Sequence, residues 1–275
     1  MFNTLAGKFG GFAGSGDTSR RINISMAPPA VSTPAIVDFD TASLYNFTAN
    51  TAGTNDAPGQ WTFSVIGGDI AVTLEAVGAG GAGGVGSNGP PGQWWPGQSG
   101  VTTTITGPGS LSISAGGGGG GHGGSRPGPG PFGGGHPTGN GTNGGIPGAG
   151  GTASGGNTNT AGNAGAGGAQ GSVPTPGSAG QAGATVAPAY FTPLEQSGRG
   201  AGGAGGGPDS SGGHTAAGGG GGGGGSAAYV LKTHTLIAGS TYNIVVGGKG
   251  VQPGSPQPGP RPMVNQPGGA KITIT

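Results

Sequence analysis

The chain contains no cysteine, which excludes disulfide staples and cysteine-ligated zinc. Charge is almost as scarce. Nine Lys and Arg stand against eight Asp and Glu, a formal net charge of +1, and charged side chains make up 6% of the 275 residues where a soluble domain carries about 25%. Such a chain has no field to attract nucleic acid, and nucleic-acid binding is not expected. No continuous apolar run approaches the length of a transmembrane helix, so membrane insertion is not expected either. The first residues, Met1 to Lys8, lack the basic start and apolar stretch of a secretory signal.

Groups that carry chemistry are equally sparse. His122, His136, His214 and His234 are isolated, with no second ligand at metal spacing. Glu75 and Glu195 are the only glutamates, and Asp38 and Asp40 sit in a short alternating piece. No nucleophile is paired in a motif with a base, so the chain reads as a non-enzyme without cofactor or metal. The stretch around Gly247, Gly248, Lys249 and Gly250 has no Ser or Thr after the lysine, which removes a phosphate loop.

What the chain has in abundance is glycine, 76 residues, with 24 prolines. Three zones separate. Residues 1–58 hold short extended pieces, such as Ile22 to Ile24 and Ile36 to Phe39, that need something to pack against; this zone reads as an attachment segment. Residues 59–115 together with 226–275 carry strand signals at 61–65, 70–76, 101–105, 111–113, 229–237, 242–246 and 271–275, each with apolar residues at alternate positions. One face would use Ile70, Val72, Leu74, Ile105, Leu111, Ile113, Tyr229, Leu231, Ile237, Tyr242, Ile244, Ile272 and Ile274. That is enough for a small β-sandwich.

Residues 116–225 form a glycine-rich insertion. A structureless loop of that length would argue against a compact domain, but the spacing points to architecture. Gly162, Gly165, Gly168 and Gly171 fall three apart, and Gly177, Gly180 and Gly183 continue the phase. Ala79 and Ala82, and again Ala201 and Ala204, repeat the same period as its complement. Three residues per turn is the period of polyproline II, a helix with no internal hydrogen bonds. Several such helices side by side can bond to each other only where no Cβ separates them. The runs at 116–121 and 218–225 therefore suit the interior of a bundle, and segments with glycine at every third place suit its rim. The fold class expected is all-β: a small β-sandwich with a large insertion forming a polyglycine II bundle. A flexible linker and a collagen helix are the alternatives, and the second fails because the Gly-X-Y register is short and poor in proline.

Aromatic side chains stand where no core is expected. Trp94 and Trp95 lie between two strand signals among turn formers, and Phe132, Tyr190 and Phe191 lie within the insertion. Stiff aromatic groups on loops lose little rotamer entropy on binding. These five are the candidate receptor-binding residues.

Strand pairs ending in glycine bursts, the glycine-rich insertion and the return through Tyr229, Leu231, Tyr242 and Ile244 to Gly250 resemble the glycine-rich domains of bacteriophage tail and tail-fibre proteins. In logic the chain is also similar to the tip adhesins of T-even-like phages, over roughly residues 60–275. The resemblance implies a virion protein of the distal tail or fibre, exposed to the extracellular medium. Its partners would be other tail or fibre subunits and a host cell-surface protein or glycan. A purely structural virion subunit (tail-tip, fibre-joint or capsid decoration) and an ice-binding or matrix protein are the other readings.

Overall fold

Alternation of apolar and polar residues builds the strands. In Leu111–Ala115 the side chains of Leu111, Ile113 and Ala115 are buried while Ser112 is exposed, and in Thr241–Val246 Tyr242, Ile244 and Val246 are buried between the exposed Thr241 and Asn243. The computed structural model describes residues 19–25, 36–40, 59–66, 69–84, 96–124, 145–169, 177–188, 220–250 and 267–275. These hold eleven strands: β1 (Ser19–Ser25), β2 (Ile36–Asp40), β3 (Gly59–Ile66), β4 (Ile70–Val77), β5 (Thr103–Gly107), β6 (Leu111–Ala115), β7 (Ala153–Ser154), β8 (Thr158–Thr160), β9 (Tyr229–Leu236), β10 (Thr241–Val246) and β11 (Gly269–Ile274). No helix occurs among the described residues.

The strands form two sheets, ordered β1-β3-β10-β5-β6-β7 and β2-β11-β4-β9-β8. Every pairing is antiparallel except β1 with β3. The two extended pieces before residue 59 thus find their partners one in each sheet, as edge strands on β3 and β11. Phe63, Ile105, Ile113 and Ile244 of the first sheet share one buried cluster with Leu74, Val230 and Ile272 of the second. That shared core is compatible with a sandwich. Each fully buried large side chain contributes roughly 1.5–3 kcal/mol.

One strand faces the other way from the sequence expectation. Val230 and Leu236, not Tyr229 and Leu231, enter the core from β9. Tyr229 instead joins Val77 and Ala227 in a second cluster, with Val186, Ala187 and Leu231 against it, and Ile237 is exposed. Three successive apolar residues, 229 to 231, offer either face. The phase is settled by chemistry: the Tyr229 hydroxyl donates to the buried Glu75 carboxylate, a partner the apolar core does not provide. The side chain of Ile274 lies outside the described residues. The short strands β7 and β8 within the insertion were not anticipated; two and three residues are too few to show a period, and the turn between them depends on Gly155 at φ 83°.

The two ends of the sheets differ. One end closes with tight turns, at Gly109 and Ser110 between β5 and β6 and at Gly239 between β9 and β10, all with positive φ. At the other end the strands do not turn. The chain runs on from β4 into 78–84, from β6 into 116–124, from β8 into 161–169 and from β10 into 247–250. It comes back through 96–102 into β5, 145–152 into β7 and 220–228 into β9. The pairings Val77 with Tyr229, Thr103 with Ala115, Ala115 with Ala153 and Thr160 with Tyr229 put these junctions at one common end.

Candidate functional site

The glycine-rich segments bond to one another through their backbones at every third residue. Gly145, Gly148 and Gly151 donate their N–H groups to the carbonyls of Gly220, Gly223 and Ser226. Gly222, Gly225 and Ala228 donate to His122, Gly119 and Gly116, and Gly162, Gly165 and Gly168 donate to Gly151, Gly148 and Gly145. These bonds measure 2.8–3.0 Å, ordinary lengths for N–H to O=C. The donors recur at every third residue along each segment.

The sequence shows which segments can occupy which place. In 220–225 every residue is glycine and every one is buried. A Cβ on Gly222, Gly223, Gly224 or Gly225 would lie within 3.0 Å of a neighbouring backbone, at Ile146, Gln181, Gly81 and Ala149 in turn. Three separate segments thus leave it no room for a side chain. The segment 177–184 lies outside it and follows a three-residue rule. Gly177, Gly180 and Gly183 are buried, while Ser178, Ala179, Gln181 and Ala184 are exposed. In 162–168 the same holds in softer form: a Cβ on Gly162, Gly165 or Gly168 would strike backbone, whereas one on Gly167 would stand 3.3 Å from the nearest atom. Polar side chains add staples at the junctions. Ser226 Oγ accepts from Asn163 N–H at 2.8 Å, and Asn163 Nδ2 donates to the Ala184 carbonyl at 3.0 Å.

At the end away from the sheets the last described cross-bonds lie close together. Gly84 bonds to Gly222, Gly97 to Gly121, Gly145 to Gly220, Gly168 to Gly145 and Ala169 to Ser178. The chain between Gly84 and Pro96 carries Trp94 and Trp95, and the chain between Gly124 and Gly145 carries Phe132. Both stretches therefore begin and end at this free end. Tyr190 and Phe191 come shortly after Pro188, which follows Val186 and Ala187 where these pack beside Val77 and Tyr229 at the sheet end. The five aromatic residues themselves lie outside the described residues. Sequence reasoning passed over Ile146. It is 59% exposed and follows the free-end residue Gly145, and its signal was a lone branched apolar residue in a glycine-rich stretch.

Titratable groups are few here. His122 is exposed and serves the lattice through its backbone. Glu75 is buried with Tyr229, and His234 lies edge-on to the Tyr242 ring, with centroids 6.4 Å apart. Nε2 of His234 is buried and has no hydrogen-bond partner among the described residues, and burial, followed by the positive charge of Lys232, holds this imidazole below its usual 6.5. Among the described residues no three His, Cys, Asp or Glu side chains come together as a metal site, and no helix is long and apolar enough to cross a membrane. No protein-family model, curated protein or solved structure matches this chain.

Proposed function

We propose that the glycine-rich segments form a polyglycine II bundle and that this bundle is a display platform on a bacteriophage tail or tail-fibre protein, presenting aromatic loops to a receptor on the host cell surface. One observation carries the reading: the segments flanking Trp94 and Trp95 and those flanking Phe132 are bonded together at the end opposite the sheets. A backbone lattice holds the loop roots at fixed separations, which lowers the ordering cost of binding. The scarcity of charge fits recognition by stacking and apolar contact rather than by electrostatic steering.

The test is the double substitution Trp94→Ala with Trp95→Ala in the virion. Adsorption should be lost while particles assemble normally; undiminished adsorption would remove this loop from the reading. A structural role inside the virion is the second reading, and it is favoured for Tyr190 and Phe191 because they come just after Pro188 at the sheet end rather than the free end. Chemical labelling of intact particles at Tyr190 separates the two. A shielded tyrosine means contact with a neighbouring subunit, and a reactive one returns it to the recognition surface.

A further inference from the structure

The segments 162–169 and 177–184 run antiparallel and bond to each other rung by rung. Ala169 donates its N–H to the Ser178 carbonyl and Ala166 donates to the Gln181 carbonyl, each at 2.8 Å. Continued by three residues along both segments, the series calls for Asn163 to donate to Ala184. That rung is open. The Asn163 N–H goes instead to Ser226 Oγ at 2.8 Å, and the Ala184 carbonyl accepts from Asn163 Nδ2 at 3.0 Å. Two side-chain bonds thus replace one backbone bond, and neither backbone group is left unanswered.

The cause lies in the central segment. Gly220, Gly223 and Ser226 form one row of it, donating their N–H groups to Ala169, Ala166 and Asn163. A Cβ on Gly220 would lie within 3.0 Å of the Ser178 backbone, and one on Gly223 within 3.0 Å of the Gln181 backbone. The third member of the row carries a real side chain, and Ser226 is fully buried. At its level the neighbouring segment has to stand off. There 177–188 leaves the lattice: Ala187 N–H turns back onto Thr185 Oγ1 at 3.1 Å, and Val186 and Ala187 pack against Val77, Ala227 and Tyr229. Val77 and Tyr229 lie on the side of β4 and β9 turned away from the shared core, which Ala76 and Val230 enter. The exit cannot come much later, because Val186 continues the row of Gly180 and Gly183, where a Cβ would meet the backbones of Ala166 and Asn163.

We infer that Ser226 is a positioning residue: its side chain wedges open the rung between Asn163 and Ala184 and sets the level at which 177–188 turns out of the lattice onto the outer side of β4 and β9. Asn163 is its matched partner. The Asn163 N–H satisfies the wedging hydroxyl, and the Asn163 side chain supplies the carbonyl that the wedge has displaced. A glycine at 226 would extend the all-glycine run 220–225 and let the rung close. Ala184 would then be drawn inward, and Val186 and Ala187 would be pulled from the cluster around Tyr229. This inference stands on the described bonds and does not depend on whether the loops bind a receptor.

Scalar couplings across hydrogen bonds, from amide nitrogen to carbonyl carbon, test it by NMR on the full chain. In the wild-type chain Ala166 with Gln181 and Ala169 with Ser178 should show the coupling, and Asn163 with Ala184 should not. Ser226→Gly should make the coupling of Asn163 with Ala184 appear and weaken the contacts of the Val186 methyls with Tyr229. Ser226→Ala keeps the wedge and removes the hydroxyl. In that variant the rung should stay open, Val186 should keep its contacts, and exchange of the Asn163 amide should accelerate by about tenfold or more. A coupling of Asn163 with Ala184 in the wild-type chain or in Ser226→Ala would overturn the inference. So would its absence, or an unmoved Val186, in Ser226→Gly. Should Ser226→Gly fail to fold, Ser226→Ala decides alone: an open rung with Val186 in place supports the wedge, and a closed rung or a displaced Val186 overturns it.

Discussion

In the sheets the space between layers is filled by side chains such as Leu74, Ile105 and Ile113, and the backbone bonds lie within each sheet. In 220–225 there are no side chains, and the space around each residue is filled by the backbones of its neighbours. The same chain passes between the two regimes without a break, at Val77 to Gly78, at Ala115 to Gly116 and at Ala228 to Tyr229. The difference is in what each region tolerates. A core built on side chains suffers when they are truncated, because a cavity remains. A lattice built on backbones suffers when a side chain is added, because nothing between two hydrogen-bonded segments can give way.

Denaturant unfolding midpoints on single variants can break this comparison. The largest effect should come from Gly222→Val, whose Cβ would fall within 3.0 Å of the Ile146 backbone; a loss of about 3 kcal/mol or more is expected. A stability change near zero would mean that the lattice is not packed. The sharpest contrast lies within one segment. Gly165→Ala should be strongly destabilising because its Cβ meets the Gly223 backbone, whereas a Cβ at Gly167 would come no nearer than 3.3 Å to any neighbour. Gly167→Ala should therefore change stability by no more than about 1 kcal/mol and could raise it by stiffening the unfolded chain. In the sheets, Ile113→Val removes one methylene from a fully buried site and should cost about 0.5–1.5 kcal/mol. Tyr242→Phe takes away the hydroxyl that accepts the Ile237 N–H at 2.7 Å, for a loss of about 1 kcal/mol.

The smallest effect is a pH dependence confined to the sheet region. His234 is held below its usual value, chiefly by burial. As the pH falls, the unfolded chain takes up this proton before the folded one does. The contribution of the neutral imidazole is therefore complete above about 6.5 and is lost progressively as the pH drops toward the lower folded value. His234→Gln should flatten that part of the stability profile. An unaltered profile would show that other groups produce it.

The sheets were legible because alternation is a local signal. The segments around Val72, Ile113 and Ile244 appear as strands within a residue or two of their expected limits. The phase of β9 was not legible, since Tyr229, Val230 and Leu231 satisfy either face and the deciding partner, Glu75, is distant in sequence. The glycine rows at 162, 165 and 168 and at 180 and 183 were visible as a period, and the described bonds use those residues as donors. Which segment neighbours which could not be read, because glycine carries no side chain to encode a partner; the order is set by the strands to which each segment is joined. The candidate aromatic residues were chosen by elimination, and only the roots of their loops are placed.

The junction of strand and thread has a mechanical consequence. Because 78–84, 116–122 and 220–228 are covalent continuations of paired strands, a pull between the free end and the sheets runs along the chain axes and loads the cross-rungs together in shear, rather than one after another as in a zipper. A body so built transmits tension over its length without stretching. That property would serve a tether whose far end is seized while its base is anchored.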